Sequence, residues 1–297
     1  MLKVLCIGDL MLDVIAQIPA SVRYGEDNSS TITTRSGGAG GNVASWIKAA
    51  GGESFVLARV GDDSAGKTLL SDLDLLGVEY SQTVMPKSAS GVVIVLVDPD
   101  GQRTMFPQTG ANAGLSIKDL PSLEGFGALY LSGYALLNEE SRSAVLKMIE
   151  AVNEKGLPIF FDPTTIASMT RVNIAIMRDW LARMSTVIMN EEEALFLSGA
   201  STVEDALATL LRHSHNVVIK RGALGAIGQN RLGVAISKAA LDTSVVDTTG
   251  AGDSFAGGFI AAWMQNPDLD SCIEAGIATA AQCVAIVGAR PQVTPNI

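Results

Sequence analysis

The chain has 297 residues, of which 47% are hydrophobic and 18% charged, and Lys plus Arg (21) against Asp plus Glu (31) leaves a net charge of −10. This length and apolar share supply a sizeable core and exclude a disordered chain or a minimal module. The acidic balance excludes an overall basic footprint for nucleic acid.

Short apolar runs alternate with helical periodicity along most of the chain. The pattern predicts strands over residues 3–8 and 55–60, and helices over 41–50 and 66–76, the latter with leucines at 69, 70, 73 and 76. Further strands are expected at 128–131, 159–162, 186–190 and 217–220. Helices are expected at 139–154, from 191, from 203, and at 252–264 and 272–284. Strands alternating with helices imply an α/β fold, a mostly parallel sheet flanked by helices, with ligands at the strand C-termini. One region breaks the alternation. Residues 91–97 and 103–106 flank Asp98-Pro99-Asp100-Gly101, a hairpin signal, and 15–18 and 30–34 are two more short strands without a helix between them. These segments read as a small separate sheet inserted into one α/β core.

The segment with the most chemistry is DTTGAGDSFAGGF, residues 247–259. Small residues run into an apolar helix, so the unpaired amides of the first turn form an anion site. Gly250 and Gly252 let a phosphate approach the backbone. Asp253 then projects into the same space, where a carboxylate can take a proton from an attacking hydroxyl. The bland alternative is that Asp253 only caps the helix.

This segment closely resembles the C-terminal signature of the ribokinase-like (PfkB) carbohydrate kinases. Five other segments match in the family's order. Residues 8–13 (GDLMLD) resemble the first strand and its sugar-binding Asp, and 37–42 (GGAGGN) the di-glycine signature. Residues 110–112 (GAN) resemble a segment returning from the lid, while 190–193 (NEEE) and 220–225 (KRGALG) resemble the NxxE motif and the nucleotide-side glycine turn.

The resemblance implies a core of residues 1–13, 37–88 and 110–297 with a β-sheet lid of 14–36 and 89–109. It implies transfer of the ATP γ-phosphate to a hydroxymethyl group of a sugar or nucleoside. Asp253 would be the base, and the amides of Gly250, Ala251 and Gly252 the anion hole. Asp13, Gly38, Asn42 and Asn112 would hold substrate, with Arg103 and Phe106 of the lid as further contacts. Asn190, Glu193, Lys220, Gly222, Gly225 and Thr279 would serve the nucleotide, Glu193 reaching Mg²⁺ through water. Asp247 and Thr249, with carbonyls of the 285–292 turn such as that of Gly288, would hold a monovalent cation, K⁺. Two departures weaken ribose as the substrate: Ala39 stands where ribokinases carry Lys, and 132–134 lacks an acidic residue. A nucleoside kinase and a catalytically silent sugar-binding homologue remain the alternatives. The exposed edge and apolar face of the lid invite pairing with a second lid.

A third reading comes from GDDSAGKT, residues 61–68, which satisfies GxxxxGK[ST] between a strand and a helix. Asp62 and Asp63 would place negative charge where phosphates should sit, so Lys67 is expected to be an ordinary first-turn residue. Three cysteines without CxxC spacing exclude a disulfide scaffold, and two histidines form no metal spacing. No run reaches the roughly 18 apolar residues that a membrane span needs. The N-terminus shows no leader pattern, so a soluble cytoplasmic protein without a membrane or nucleic-acid partner is expected.

Overall fold

The computed structural model describes residues 1–81 and 83–292. The chain enters on β1 (Lys3–Ile7), then leaves the core for β2 (Met11–Gln17) and β3 (Thr31–Gly37). It returns through α1 (Ala39–Ala49), β4 (Ser54–Leu57), β5 (Val60–Gly61), α2 (Ser64–Leu76), β6 (Glu79–Tyr80) and β7 (Val84–Met85). A second excursion makes β8 (Gly91–Val97) and β9 (Arg103–Gln108). The next stretch holds β10 (Phe126–Ser132), α3 (Gly133–Leu137), α4 (Glu139–Glu154), β11 (Ile159–Asp162), α5 (Ile166–Met169) and α6 (Ile174–Leu181). Then come β12 (Thr186–Asn190), α7 (Glu191–Ser198), α8 (Val203–Leu210), β13 (Asn216–Lys220), β14 (Ala226–Asn230) and β15 (Ile236–Lys238). Helices α9 (Ala251–Trp263) and α10 (Leu269–Val284) close the chain.

The main sheet has nine strands in the order β15-β14-β13-β12-β11-β10-β1-β4-β6. It is parallel from β6 to β13, and β14 and β15 run antiparallel at one edge. The connection from Lys220 to Ala226 is too short for a crossover, so β14 can only return as a hairpin. Residues of one strand alternate between two cores. Leu5, Leu129, Leu131, Phe161 and Val187 enter one, and Val4, Cys6, Tyr130, Phe160 and Ile188 the other. This period of two on a sheet covered on both faces explains why the strands read as continuous apolar runs. Each such large side chain contributes about 1.5–3 kcal/mol by its burial.

The small sheet has the order β3-β2-β8-β9, with β2 and β8 parallel and the outer pairs antiparallel. Asp98 closes its hairpin by accepting from the amides of Asp100 (3.0 Å) and Gln102 (2.8 Å), with Gly101 at φ 80°. Strand β2 begins at Met11, earlier than its sequence suggests, because pairing with β8 extends it. Helix α6 and strands β14 and β15 have no counterpart in the sequence reading. AIGQN and ISK lack the β-branched alternation that marks a strand. Among the described residues, no helix is long and apolar enough to cross a membrane.

Candidate active site

A cleft of about 900 Å³ lies at the C-terminal ends of β1, β11, β12 and β13 and beneath the small sheet. The first turn of α9 forms part of its floor. Among its lining residues are Asp13, Gly38, Asn42, Asn112, Asn190, Glu193, Lys220, Gly252 and Asp253. These come from nearly the whole length of the chain, as expected where strand ends converge.

Gly250 precedes α9 at φ 76°, and a Cβ there would meet Ala289 Cα at 2.6 Å, so the turn admits only glycine. No side chain caps this helix, which leaves its first-turn amides to a ligand. The Ala251 amide already reaches the Thr248 carbonyl at 3.3 Å, whereas Gly252 faces the cleft. A Cβ on Gly252 would lie 3.1 Å from Lys220 Nζ, which places that ammonium against the same turn. The arrangement suits a phosphate between amides and ammonium.

The Asp253 carboxylate accepts from Asn42 Nδ2 at 2.8 Å. Enclosure pushes its pKa up to about 7; the Asn42 hydrogen bond opposes that rise, Asp162 adds to it and Lys220 works against it. Lys220 Nζ donates to Asp162 Oδ2 at 2.8 Å. Burial disfavours the Lys220 charge, yet Asp162 and Glu193 outweigh it and hold the ammonium above the ordinary lysine range. Asn190 and Glu193 form a reciprocal cap on α7: Glu193 N donates to Asn190 Oδ1 (2.8 Å) and Asn190 N to Glu193 Oε2 (2.9 Å). Glu193 is buried, and desolvation followed by the Asp162 charge pushes its pKa upward.

At the other end, Asp13 points from β2 into the cleft, its pKa pushed up to about 6 by burial and by Asp9, with Arg290 opposing. Gly38, at φ 91°, sits so close to the Asp9 carbonyl that any side chain would collide. Asn112 is buried and ties the two excursions together. It accepts from Leu10 N at 3.2 Å and donates to the carbonyls of Leu10 (2.9 Å) and Thr109 (3.1 Å).

Several expected site residues lie elsewhere. Gly222 (φ 56°) and Gly225 (φ 88°) shape the β13–β14 turn, where Arg221 N donates to Gly225 O at 2.8 Å. Thr279 donates to Ala275 O at 2.8 Å and presses on Gly258 of α9, so its hydroxyl faces the helix pair rather than the cleft. Met105 and Pro107 of β9 line the cleft, and the pleat turns Phe106 to the opposite face. Arg103 reaches across to Asp247 and forms an ion pair.

The GDDSAGKT run is filled by its own carboxylate. Asp63 accepts from Gly66 N (2.8 Å), Ser90 N (2.8 Å) and Ser90 Oγ (2.6 Å), and Lys67 is exposed. An anion has no place in a loop whose donors already hold Asp63. Lys67→Ala is therefore expected to leave turnover within about twofold of the parent, as for an exposed side chain without partners. A steady-state assay checks this, and a crippled variant would restore the P-loop reading.

A family model described as pfkB family carbohydrate kinase matches residues 1–296. The chain belongs to that family. This pfkB-family kinase is a phosphotransferase that uses an alcohol group as acceptor. It is 29% identical over 284 residues to a fructokinase of Vibrio alginolyticus, covering 90% of this chain and 88% of that one. A crystal structure of adenosine kinase from Sinorhizobium meliloti has the same fold, with a TM-score of 0.89, 22% identity, and coverage of 98% and 96% of the two chains. A putative ribokinase II from E. coli, solved in complex with ATP and Mg²⁺, superposes with a TM-score of 0.85 at 25% identity, covering 97% and 94%.

The kinase gathers the expected cation ligands, but they are occupied. Asp247 Oδ1 accepts from Thr249 N (2.9 Å), Thr249 Oγ1 (2.5 Å) and Arg103, and Asp247 Oδ2 accepts from Gly288 N at 3.0 Å. These hydrogen bonds and the Arg103 charge outweigh burial and hold Asp247 down at about 2. With a guanidinium on the carboxylate and Gly288 offering an N–H, the residues as arranged do not fit a bound K⁺.

Three functional groups escaped the sequence reading. Asp162 ends the buried strand IFFD, and a charge closing an apolar run was the available signal. Asp9 accepts from Ala39 N at 3.1 Å and lines the cleft. Arg290 lies in a Gly- and Ala-rich turn and left no trace.

Proposed function

We propose that the cleft transfers the γ-phosphoryl group of MgATP to the hydroxymethyl group of a small sugar or sugar-like molecule, in line, with Asp253 as general base. The observation that carries this reading is the Asp253 carboxylate in the first turn of the uncapped α9, with its pKa raised to about 7 beside Lys220. A base in that range is about half ionised near neutrality and binds a proton well. The substrate hydroxyl gives its proton to Asp253, its oxygen forms the new bond to phosphorus, and the bond to the ADP oxygen breaks. The α9 first turn, through the Gly252 amide that faces the cleft, and the Lys220 ammonium offset the charge on the moving group. Asp162 and Glu193 offer carboxylates toward the Mg²⁺ of the nucleotide, with Asn190 holding Glu193 in place. Asp13 and the Gly38 backbone take the substrate hydroxyls. With Asp247 held by Arg103, this reading gives K⁺ no part.

A second reading, a nucleoside as acceptor, has its own support. The wall over Asp13 is apolar, built from Met11, Val93, Met105 and Pro107, and suits a flat base better than a fully hydroxylated sugar. Three buried free cysteines fit a reducing, cytoplasmic setting, and the exposed Ile32, Ile94 and Phe106 on the outer lid suit a second lid.

A coupled ADP-release assay with MgATP tests the proposal against ribose, fructose, fructose phosphates, 2-keto-3-deoxygluconate, adenosine, inosine and pseudouridine. Turnover is expected with one class of compound only. A nucleoside hit would place the base against the apolar wall. Compounds that raise Tm without any ADP release would instead establish a silent binder.

A further inference from the structure

Arg290 is buried and donates hydrogen bonds in three directions. Its NH1 group donates to Asp72 of α2 at 2.7 Å, and its NH2 group to the Gly37 carbonyl at 2.8 Å. Its Nε donates to Asn42 Oδ1 at 3.1 Å. The turn that carries it is pinned by Trp46 Nε1, which donates to Ala289 O at 2.8 Å. Gly41 makes room, since any side chain there would collide with the Arg290 guanidinium and with Leu10.

The consequence lies one residue further on. An asparagine amide has an accepting end and a donating end. With Oδ1 held by the guanidinium, only Nδ2 can face Asp253, and it donates to the Asp253 carboxylate at 2.8 Å. A flipped amide would set two oxygens against each other and leave a buried guanidinium N–H without an acceptor. Arg290 thus decides which end of Asn42 meets the carboxylate.

We infer that Arg290 is a positioning residue for phosphoryl transfer: through Asn42 it fixes the orientation of the Asp253 carboxylate and favours its ionised form. The inference rests on the reading of Asp253 as base. The charged and titratable groups facing Asp253 are Asp9 from the β1–β2 link, Tyr130 from β10, Asp162 from β11, Lys220 from β13, Tyr134 from α3 and the neutral thiol of Cys283 from α10. Arg290 faces it from the C-terminal turn, behind Asn42. Of these groups only Lys220 and Arg290 are cationic, and Lys220 is committed to Asp162. Loss of Arg290 leaves the neighbourhood more anionic and the Asn42 amide free to turn, and both effects favour the protonated acid.

The test compares Arg290→Met and Arg290→Lys in the parent and in the Asn42→Ala background. Lysine keeps an ion pair with Asp72 but lacks the fork that reaches Asn42 and Gly37 together. In Arg290→Lys, Tm is expected near the parent value. The expected loss of kcat is about 10–100-fold, as for a misplaced catalytic group, with the KM for ATP within about threefold. The acid limb of kcat/KM is expected to move upward by about one pH unit, toward the alkaline side. Against Asn42→Ala, the Arg290 substitutions are expected to add almost nothing, because the route through the amide is already cut. An unmoved limb in folded Arg290→Lys, or full additivity with Asn42→Ala, overturns the inference. If Arg290→Met does not fold, Arg290→Lys carries the comparison alone. Asp253→Asn separates the two layers. If it keeps near-parental turnover, the base reading falls and this inference with it. If it is silent and the Arg290→Lys limb is unmoved, only the role of Arg290 falls.

Discussion

Asp253→Asn is expected to lower kcat by roughly 10²–10⁴-fold, the range that a positioned general base contributes. Binding of ATP should survive, because the amides of α9 and the Lys220 ammonium remain where they are. The same substitution is expected to stabilise the fold. A carboxyl near 7 in the native chain, against an ordinary value of about 4 in the unfolded one, binds more protons when folded. Stability therefore falls as pH rises from about 4 to about 7, and the cost persists above that. The amide removes that cost. At pH 8 the variant should melt about 2–6 °C above the parent, the scale for one to two kcal/mol in a chain of this size. The gap should narrow at pH 5. Calorimetry at both values and a coupled assay check the two halves together. Near-parental turnover by the folded variant would end the assignment of Asp253 as the base.

Lys220→Met carries the second large effect. The side chain keeps its length and loses the only ammonium among Asp162, Glu193 and Asp253. Asp162 and Glu193 are buried, and removing one partner of a buried ion pair typically costs about 3–5 kcal/mol. Glu193 and Asp253, whose proton affinity Lys220 holds down, should then hold protons more tightly. The folded variant binds more protons than its unfolded form, so its stability should return in part as pH falls from 8 to 5. Turnover at pH 7 should drop and the KM for MgATP rise, since the ammonium faces both the phosphate turn and the base. Urea unfolding at pH 5 and pH 8 and a kinetic profile test this. A variant as stable as the parent at pH 8, with unchanged KM, would show that Lys220 balances no charge in the cleft.

Much of this molecule was readable from its residues. The strands over 159–162 and 186–190 and the helix over 139–154 begin and end where the structure has them. Their ends carry local signals: Asn138 caps α4 by accepting from the amides of Glu140 and Ser141, and Asn190 caps α7. The hairpin around Asp98 was equally local. By contrast, β14 and β15 form because a neighbouring strand offers hydrogen bonds, and nothing in AIGQN announces that. Met11 and Met105 line the cleft, and an isolated methionine carries no local signal of that.

The sequence by itself determined the class of fold, the order of the motifs, and the placing of Asp253 on the first turn after a glycine-bearing loop. Those features depend on neighbours along the chain: a period of two or 3.6, a capping side chain, a glycine where φ must be positive. Only the tertiary structure decided who shares the cleft. Lys220 meets Asp162, 58 positions away, because β11 and β13 end on the same edge with β12 between them. Asn42 turns its amide toward Asp253 because Arg290, 248 positions away, holds its other end. Arg103 lies on Asp247 because the small sheet folds over the core. Charge pairing and proton affinity follow distance and enclosure in space, and those are set by which strand ends lie side by side, a property that no stretch of sequence contains.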